Sequence, residues 1–386
     1  MNEREHNFDR QTDRQTDRQT DRQTGRNYGI DLLRIVSMFM IVILHILGAG
    51  GVISNTKTLS VNYEVGWFIE TAAFCAVNCY ALISGYVGVF AKHKYSNLVM
   101  LWLRVIFYTV GITIIFMIIQ PGSVGKRSLV SALFPVFTNQ YWYFTSYVIL
   151  FLFIPLLNNA LNTLSKKQIQ VTLITILVII SVIFPFVNAA FGDDIFLLGY
   201  GYSAWWLIIL YLVGGYVRKY GLFKRVKTGL LLLCYLIVIS LVWVSKLVIH
   251  FVTQKVFGSP RYEDMWISYI SVFVLLAAVF LLLFFERISI KETLAKFVGF
   301  ISPLVFSVYL IHLHPLVFKN LIVNQFTWIG EKPVYVLVPV ILGIAFAILI
   351  VSCLIDLIRH YLFKLLKLRE RLNRVEHRIR AKISSK

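Results

Sequence analysis

Two ionisable residues lie inside the first hydrophobic segment of the chain, Arg34 and His45 in the run GIDLLRIVSMFMIVILHIL. Ionisable side chains at bilayer depth are costly in free energy and usually mark a functional site. At about 100° per residue, the interval between them makes roughly three helical turns, so both side chains lie on one stripe. At about 1.5 Å per residue they are about 16 Å apart along the axis. The spacing predicts a polar track through a membrane.

A carboxylate follows in the second hydrophobic segment. If the first helix runs from the cytoplasm outward and the second returns, Glu70 lies about one turn inside, at a depth similar to that of His45. A carboxylate that orients an imidazole is typical of a general base. The alternative is a buried His–Glu pair that only holds two helices together.

Basic side chains are expected at the same end of the helices as Arg34. Lys92 and Lys94 follow the second segment, and Arg104 lies inside the third apolar run. Asp31, one turn before Arg34, is placed to pair with it and still leave the guanidinium able to face an anion. These three basic residues and Arg34 predict a cationic mouth suited to phosphate groups. For Lys92 and Lys94 alone, ordinary basic charge of a cytoplasmic loop is the preferred interpretation.

Histidine and aromatic residues add candidates for binding. His312, in SPLVFSVYLIHLHPLVF, is placed close to the inferred layer of His45. Trp142 and Tyr143 lie at the outer end of the fourth segment, where rings are typical of an interfacial belt. A platform for sugar is the second interpretation. The histidines and Glu70 lack a recognised metal-ligand spacing, so no metal site is predicted.

The elements that must position these residues are membrane helices. Of 386 residues, 58% are hydrophobic and 15% are charged, and the mean hydropathy is +0.74. Soluble domains carry about 25% charged residues, so the composition indicates an integral membrane protein. Apolar runs of about 20 residues recur along the chain with a helical pattern. We therefore predict an all-α, polytopic membrane protein with about ten transmembrane helices.

The net charge of +19 follows the positive-inside rule. If both termini are cytoplasmic, the most basic loops lie inside and the outer loops carry few Lys or Arg residues. The charge is therefore attributed to orientation in the membrane, and nucleic acid is not an expected partner. The predicted location is the cytoplasmic membrane, crossed many times.

Three regions follow one another along the chain. Residues 1–28 carry a repeated Arg-Gln-Thr-Asp unit, lack the apolar residues that a core needs, and are predicted to be a disordered tail. Residues 29–356 are expected to form one membrane domain, which must supply any chemistry. Residues 357–386 are predicted to be a basic amphipathic helix that lies along anionic membrane lipids.

Four segments, in order, resemble the membrane acyltransferase 3 family of bacterial surface-polysaccharide O-acyltransferases. Arg34 and His45 match the Arg-x10-His motif of that family. The other three segments are NCYALISGYVGV, NQYWYFTSYVILFLFIPLLNNALNTLSKKQ and SPLVFSVYLIHLHPLV. The chain departs from the family pattern in the third helix, where Arg-x-x-Arg is common. Only Arg104 matches it, and Leu101 stands at the earlier position.

The resemblance implies acyl transfer across the bacterial inner membrane. The expected donor is acyl-CoA, in the first place acetyl-CoA, and no further cofactor is implied. The expected acceptor is a hydroxyl of a surface polysaccharide or lipid-linked glycan such as lipopolysaccharide. Arg34 and His45 would be essential, and His45, supported by Glu70, would act as general base or as transient acyl carrier. The cationic mouth would bind the donor. The residues expected to bind the acceptor are Trp142, Tyr143 and His312.

A transporter is the alternative from a different class. An exporter of polysaccharide or lipid-linked sugar also fits ten helices and an intramembrane charge track. Such a protein needs neither the cationic mouth nor His45 as a base, so dependence on CoA separates the two hypotheses. A purely structural scaffold is disfavoured by the two ionisable residues in the first helix.

The Arg-Gln-Thr-Asp repeat adds a hypothesis about expression. The codons AGA CAG ACA GAC encode this peptide and consist of one repeated tetranucleotide. Slippage of such a tract during replication shifts the reading frame, which would switch expression on and off, as bacteria do to vary surface structures. A solvated tail with an accidental peptide repeat is the alternative.

Overall fold

The computed structural model describes residues 26–192 and 194–384. Within these ranges the chain is helical and contains no strand, so the prediction of an all-α, polytopic membrane protein is confirmed. The predicted repeat tail falls almost entirely on residues 1–25, which lie outside the described residues. The first helix begins at Tyr28, and the side chain of Asn27 caps it by accepting a hydrogen bond from the backbone N–H of Ile30 at 3.2 Å.

The α-helices are connected mostly by short loops. In chain order they are α1 (Tyr28–Leu47), α2 (Val61–Phe74), α3 (Ala76–Gly88), α4 (Tyr95–Ile119), α5 (Lys126–Leu133), α6 (Trp142–Thr163), α7 (Lys166–Leu177), α8 (Phe184–Phe191), α9 (Ala204–Tyr220), α10 (Thr228–Phe257), α11 (Val272–Arg287), α12 (Glu292–Ile301), α13 (Phe306–His312), α14 (Pro315–Val317), α15 (Val334–Leu365) and α16 (Leu368–Ser384).

Eight segments of the described chain are long and apolar enough to cross a membrane. They are α1, α2 with α3, α4, α6, α7 with α8, α10, α12 with α13, and α15. Helices α9 and α11 are also apolar, but they have only 17 and 16 residues. These lengths lie near the lower end of the roughly 17–25 residues that span a bilayer. Eight described segments thus have the length and composition of a membrane span, against the about ten that the sequence predicts, and α9 and α11 are two shorter apolar helices.

Successive membrane-spanning segments alternate in direction, so the ends of the segments lie at two faces of the bundle. We call the face that holds residues 89–94, 221–227 and 288–291 the basic face, because Lys and Arg residues concentrate there. At this face, Arg287 Nη1 donates a hydrogen bond to the carbonyl of Val226 at 2.9 Å. The opposite face holds residues 48–60, 258–271 and 323–333, where Asn62 Nδ2 donates to the carbonyl of Gly330 at 2.8 Å.

Helices α3 and α9 cross closely at the centre of the bundle. A Cβ atom on Gly85 would lie 2.0 Å from the carbonyl oxygen of Tyr211, and one on Gly214 would lie 2.1 Å from that of Leu82. Small residues let membrane helices approach backbone to backbone. This crossing is therefore possible because both positions are glycine.

The predicted ninth helix is broken in the structure. Helix α12 ends at Ile301, α13 follows after a turn that contains Pro303, and Pro315 begins the short α14. Proline lacks the N–H that an uninterrupted helix would use, so the backbone leaves helical geometry at these points. Irregular backbone at membrane depth is tolerated where it lines a cavity. Residues of α13 do line one here, as described below.

The C-terminal helix begins later than predicted. Helix α15 continues through residue 357, the predicted start, to Leu365. Its apolar residues Tyr361 and Leu362 extend the membrane helix beyond the predicted boundary. The break comes at Lys367, whose φ of 49° is left-handed, and α16 follows from Leu368 to Ser384.

Candidate active site

A cavity of about 160 Å³ lies inside the bundle beside His45. We call it the His45 cavity. Aromatic and apolar side chains form most of its wall, among them Phe306 and Tyr309 from the broken ninth helix. Four of the predicted site residues line it together. These are His45, Glu70, Trp142 and Tyr143.

The hydrogen bonds of His45 fix the tautomer of its ring. Its Nδ1 lies 2.7 Å from the carbonyl oxygen of Ile41 and 3.4 Å from Nε2 of His312. A carbonyl oxygen can only accept, so Nδ1 of His45 carries the proton. In the neutral ring, Nε2 is then unprotonated and has a free lone pair. This is the form of histidine that can act as a general base.

His312 lies beside His45, in the layer that the sequence predicts for it. It is 2% exposed, and its own Nδ1 donates to the carbonyl of Val308. Its Nε2 therefore accepts, and the ring contacts His45 edge-on with 5.1 Å between centroids. His312 is absent from the described residues that line the cavity. It contacts His45 directly, and its contact with an acceptor stays a prediction.

Glu70 and His45 share a cavity but do not form the predicted pair. The N–H of His45 is already directed at Ile41 and His312. Glu70 Oε2 is buried and has no hydrogen-bond partner in the described part of the chain. An unpartnered buried carboxylate oxygen costs free energy, and such a group calls for a functional explanation. Its position in the wall suits a contact with a hydroxyl group of a substrate.

Arg34 occupies the stripe of α1 that leads to the cavity. Met38 and Ile41, which follow it on the same helical face, both line the His45 cavity. The predicted pairing is present, since Arg34 Nη1 lies 2.6 Å from Asp31 Oδ1. The Arg34 side chain is 30% exposed, so the guanidinium keeps donors for a ligand.

The predicted cationic mouth separates into two groups. Asp31, the partner of Arg34, also accepts a bond from Ser302 Oγ at 3.1 Å. Arg104 Nη1 donates to the carbonyl of the next residue, Pro303, at 3.1 Å. Arg34, through Asp31, and Arg104 are therefore both joined to this turn between α12 and α13.

Lys92 and Lys94 form the second group. They lie in the loop before α4 at the basic face, and Arg104 is about 14 Å further along the axis from the start of that helix. Lys92 is exposed and Lys94 half-buried in this loop, whereas Arg34 and Arg104 are half-buried inside helices.

Sequence reasoning missed the tyrosine hydroxyls near the cavity. The Tyr80 hydroxyl donates to the backbone carbonyl of Arg34 at 2.8 Å, which joins the cavity wall to the arginine. The Tyr309 hydroxyl accepts from the backbone N–H of Tyr143 at 3.3 Å and keeps its own proton for another acceptor. Tyr309 lies three residues before His312, one turn away on the same helix face, and this spacing was the available signal.

Comparison with known proteins adds one finding. A family model described as an acyltransferase domain matches residues 27–357, which is most of the chain and nearly all of the helical bundle. No curated protein and no solved structure matches the chain.

Proposed function

The chain belongs to the acyltransferase family whose domain covers residues 27–357, and we propose that it transfers an acyl group, in the first place acetyl, from acyl-CoA to a hydroxyl of a cell-surface glycan such as lipopolysaccharide. The observation that carries the proposal is His45, fixed with a free Nε2 at the wall of the His45 cavity. The proposed location is the bacterial inner membrane, with both termini in the cytoplasm.

The proposed reaction needs one proton to be moved twice. Nε2 of His45 takes the proton of the attacking hydroxyl while its oxygen bonds to the carbonyl carbon of the thioester. The C–S bond then breaks, and the imidazolium returns the proton to the departing thiolate, which leaves an ester and free CoA. Tyr309 has a phenolic proton available for the carbonyl oxygen as negative charge develops on it.

We assign the donor to the basic face. Lys92 and Lys94 would meet the phosphate groups of CoA at the surface, and the deeper Arg34 and Arg104 would meet anionic or carbonyl groups further in. The acyl group would then follow the stripe of α1 to His45, about 16 Å beyond Arg34. Enclosure of this path limits hydrolysis of the thioester by water.

The size of the His45 cavity favours transfer over transport. Its volume of about 160 Å³ is below the roughly 300–1,000 Å³ of pockets that hold drug-sized ligands. An acyl group and one attacking hydroxyl need little space. Passage of a polysaccharide or of a lipid-linked sugar needs a much wider route.

The proposal is tested with the full chain in lipid nanodiscs, supplied with labelled acetyl-CoA and purified glycan. Ester formation, followed by mass spectrometry, is expected to fall at least about 100-fold in His45→Ala, because a general base contributes that much or more. The control is His377→Ala, an exposed histidine of α16. Unchanged ester formation by His45→Ala contradicts the assignment. A gene deletion that leaves the ester intact but traps glycan inside cells supports the transporter instead.

A further inference from the structure

A second, larger cleft adjoins the His45 cavity at the opposite face. Its volume is about 610 Å³, and its walls come from α8, from the turn before α9 and from the loop before α11. The cleft and the cavity share three lining residues, Phe74, Tyr202 and Tyr269. These side chains therefore form a partition between a small reactive space and a larger outer one.

The partition is a continuous set of aromatic rings. The Tyr269 ring lies 4.8 Å from that of Phe74 and 4.9 Å from that of Tyr202, measured between centroids. Trp142 extends the set on the cavity side, 4.6 Å from Tyr202. Tyr269 is buried, and Asn78 Nδ2 holds its backbone carbonyl at 2.8 Å.

Tyr202 is the residue of the partition whose side chain is most exposed. It is 50% exposed, whereas Tyr269 is 5% exposed. It follows Gly201, whose φ is +100° and where a Cβ would lie 2.5 Å from the Cβ of Tyr269. The turn is therefore packed tightly on Tyr269, while the Tyr202 ring beyond it presents a surface to a ligand.

The cleft is aromatic and polar, and its charge is negative. Tyr200 and Tyr262 place two further half-exposed rings beside Tyr202. Asp264 contributes a carboxylate, and none of the described lining residues is Lys or Arg. A carboxylate accepts hydrogen bonds from hydroxyl groups. An anionic ligand in the same place would meet a like charge with no lining cation to offset it.

An oxygen atom that lacks a hydrogen-bond partner among the described residues lies on the other side of the partition. Glu70 Oε2 is buried, lacks a partner among the described residues and lines the His45 cavity. A sugar hydroxyl that crosses the partition into the His45 cavity would meet both this oxygen and His45, since both residues line that cavity.

We propose that this cleft is the acceptor site, that it selects a neutral, hydroxyl-rich sugar ring over an acidic one, and that the partition admits one hydroxyl at a time to His45. This inference rests on the proposed acyltransferase function. It adds the place of the acceptor, its charge class and the residues that select it.

The charge class is tested with two soluble acceptors of the same ring size, methyl glucopyranoside and methyl glucuronide. With acetyl-CoA and the full chain in nanodiscs, kcat/KM for the neutral sugar is expected to exceed that for the acidic sugar by about 10-fold or more. Asp264→Lys is expected to reverse or abolish the preference, and Asp264→Asn to weaken it. Equal use of the two sugars by the unaltered chain, or transfer to neither, overturns the assignment.

The place of the acceptor is tested at Tyr202. Tyr202→Ala is expected to raise KM for the neutral sugar at least about 10-fold and to leave KM for acetyl-CoA unchanged, since the donor is assigned to the other face. Tyr202→Trp keeps a ring and is expected to restore the KM. The control is Tyr335→Ala, an exposed tyrosine at the start of α15. An unchanged sugar KM in Tyr202→Ala, with ester formation lost in His45→Ala, refutes the cleft alone. Ester formation that survives His45→Ala refutes the role of His45, and absence of ester formation by the unaltered chain refutes the proposed function itself.

Discussion

His45 receives its orientation from a carbonyl and a second imidazole. The Ile41 carbonyl lies closer to Nδ1 of His45 than His312 Nε2 does, at 2.7 Å against 3.4 Å. The carbonyl alone is enough to keep the proton on Nδ1. His312 therefore acts as a positioning residue that restricts the rotation of the His45 ring.

Substitution of His312 should lower turnover without removing it. We expect His312→Ala to reduce kcat by about 10-fold, because the tautomer survives while the ring loses its edge contact. His312→Gln is expected to recover part of the loss, since an amide oxygen can accept from Nδ1 of His45. The measurement is kcat and KM for acetyl-CoA in nanodiscs, beside the thermal unfolding temperature. A kcat equal to that of the unaltered chain contradicts the positioning role.

Glu70 should show opposite effects on stability and on activity. Glu70→Gln replaces a buried carboxyl group, whose Oε2 has no partner among the described residues, by an amide of the same shape, so the unfolding temperature should stay equal or rise. Acyl transfer should fall about 10-fold, because the amide that replaces the carboxyl group accepts a weaker hydrogen bond from the acceptor hydroxyl. Glu292→Gln, at an exposed position of α12, is the control. A lower unfolding temperature with full activity would instead make Glu70 a structural residue.

Relations within one helix could be predicted at the residue scale, and relations between helices could not. The Arg34–Asp31 pair and the stripe from Arg34 to His45 follow from fixed helical geometry. The His45–His312 contact depends on how two distant helices are rotated against each other, which depth alone does not determine. For the same reason the predicted His45–Glu70 pair was wrong, although both residues reached the same cavity.

At the scale of the elements, the crossing of α3 and α9 depends on glycine. Gly85→Ala would force a Cβ to within 2.0 Å of a backbone oxygen, so the helices must separate. We expect a loss of about 1–3 kcal/mol in the free energy of unfolding, as for other overpacked sites. Gly343→Ala is the matched control, because it also lies inside a helix but has no atom within 4 Å of the added Cβ. Thermal unfolding of the two variants in detergent gives the comparison, and equal unfolding temperatures contradict the prediction.

The C-terminal helix α16 is docked onto the start of α4 by the carboxylate of Glu376 and by a bond from Ser96 Oγ to Asn373 Oδ1 at 3.1 Å. Glu376 accepts hydrogen bonds from the backbone N–H groups of Tyr95 and Ser96 at 3.1 and 3.0 Å, and Arg380 pairs with it at 2.6 Å. Burial raises the pKa of Glu376, but the hydrogen bonds from Ser96 and Arg380 outweigh it and lower the pKa to about 2. The lower pKa in the folded chain means that docking is fully stabilised above the ordinary pKa of 4.5 and weakens as the pH falls towards 2.

Docking of α16 should therefore be lost in acid and in a neutral variant. We expect the Tyr95 and Ser96 amides to be protected from hydrogen exchange near neutral pH and to lose protection between about pH 5 and pH 2. Glu376→Gln should lack this protection at neutral pH, whereas Glu370→Gln, at an exposed position of the same helix, should keep it. Protection of the two amides that is independent of pH and of Glu376 would contradict the docking role.

The membrane-spanning segments could be predicted from hydropathy, but the positions at which a segment breaks could not. Apolar runs located the spanning helices, because burial in lipid demands length and composition. The ninth span reads as one apolar run, yet it breaks around Pro303 and Pro315. Whether a proline kinks or ends a membrane helix depends on what satisfies the freed backbone groups, which is a tertiary property.

At the scale of the whole molecule, the proposal assigns the donor and the acceptor to different sides of the membrane. The arginines and lysines assigned to the donor lie towards the basic face, and the cleft assigned to the acceptor lies at the opposite face. The positive-inside rule puts the basic face in the cytoplasm, where acyl-CoA is found. The proposed direction of transfer thus depends on an orientation that can be measured.

Single cysteines at the two faces measure this orientation in intact cells. Lys57→Cys, at an exposed position of the opposite face, is expected to react with a membrane-impermeant maleimide, and Lys167→Cys, exposed at the basic face, only after the cells are permeabilised. The unaltered chain gives the background from the four native cysteines, of which Cys75, Cys79 and Cys353 are buried and Cys234 is half-buried. Labelling of Lys167→Cys alone in intact cells would place the cationic groups outside. The donor site would then face away from the acyl-CoA pool, and transfer from the basic face to the cleft would be impossible as proposed.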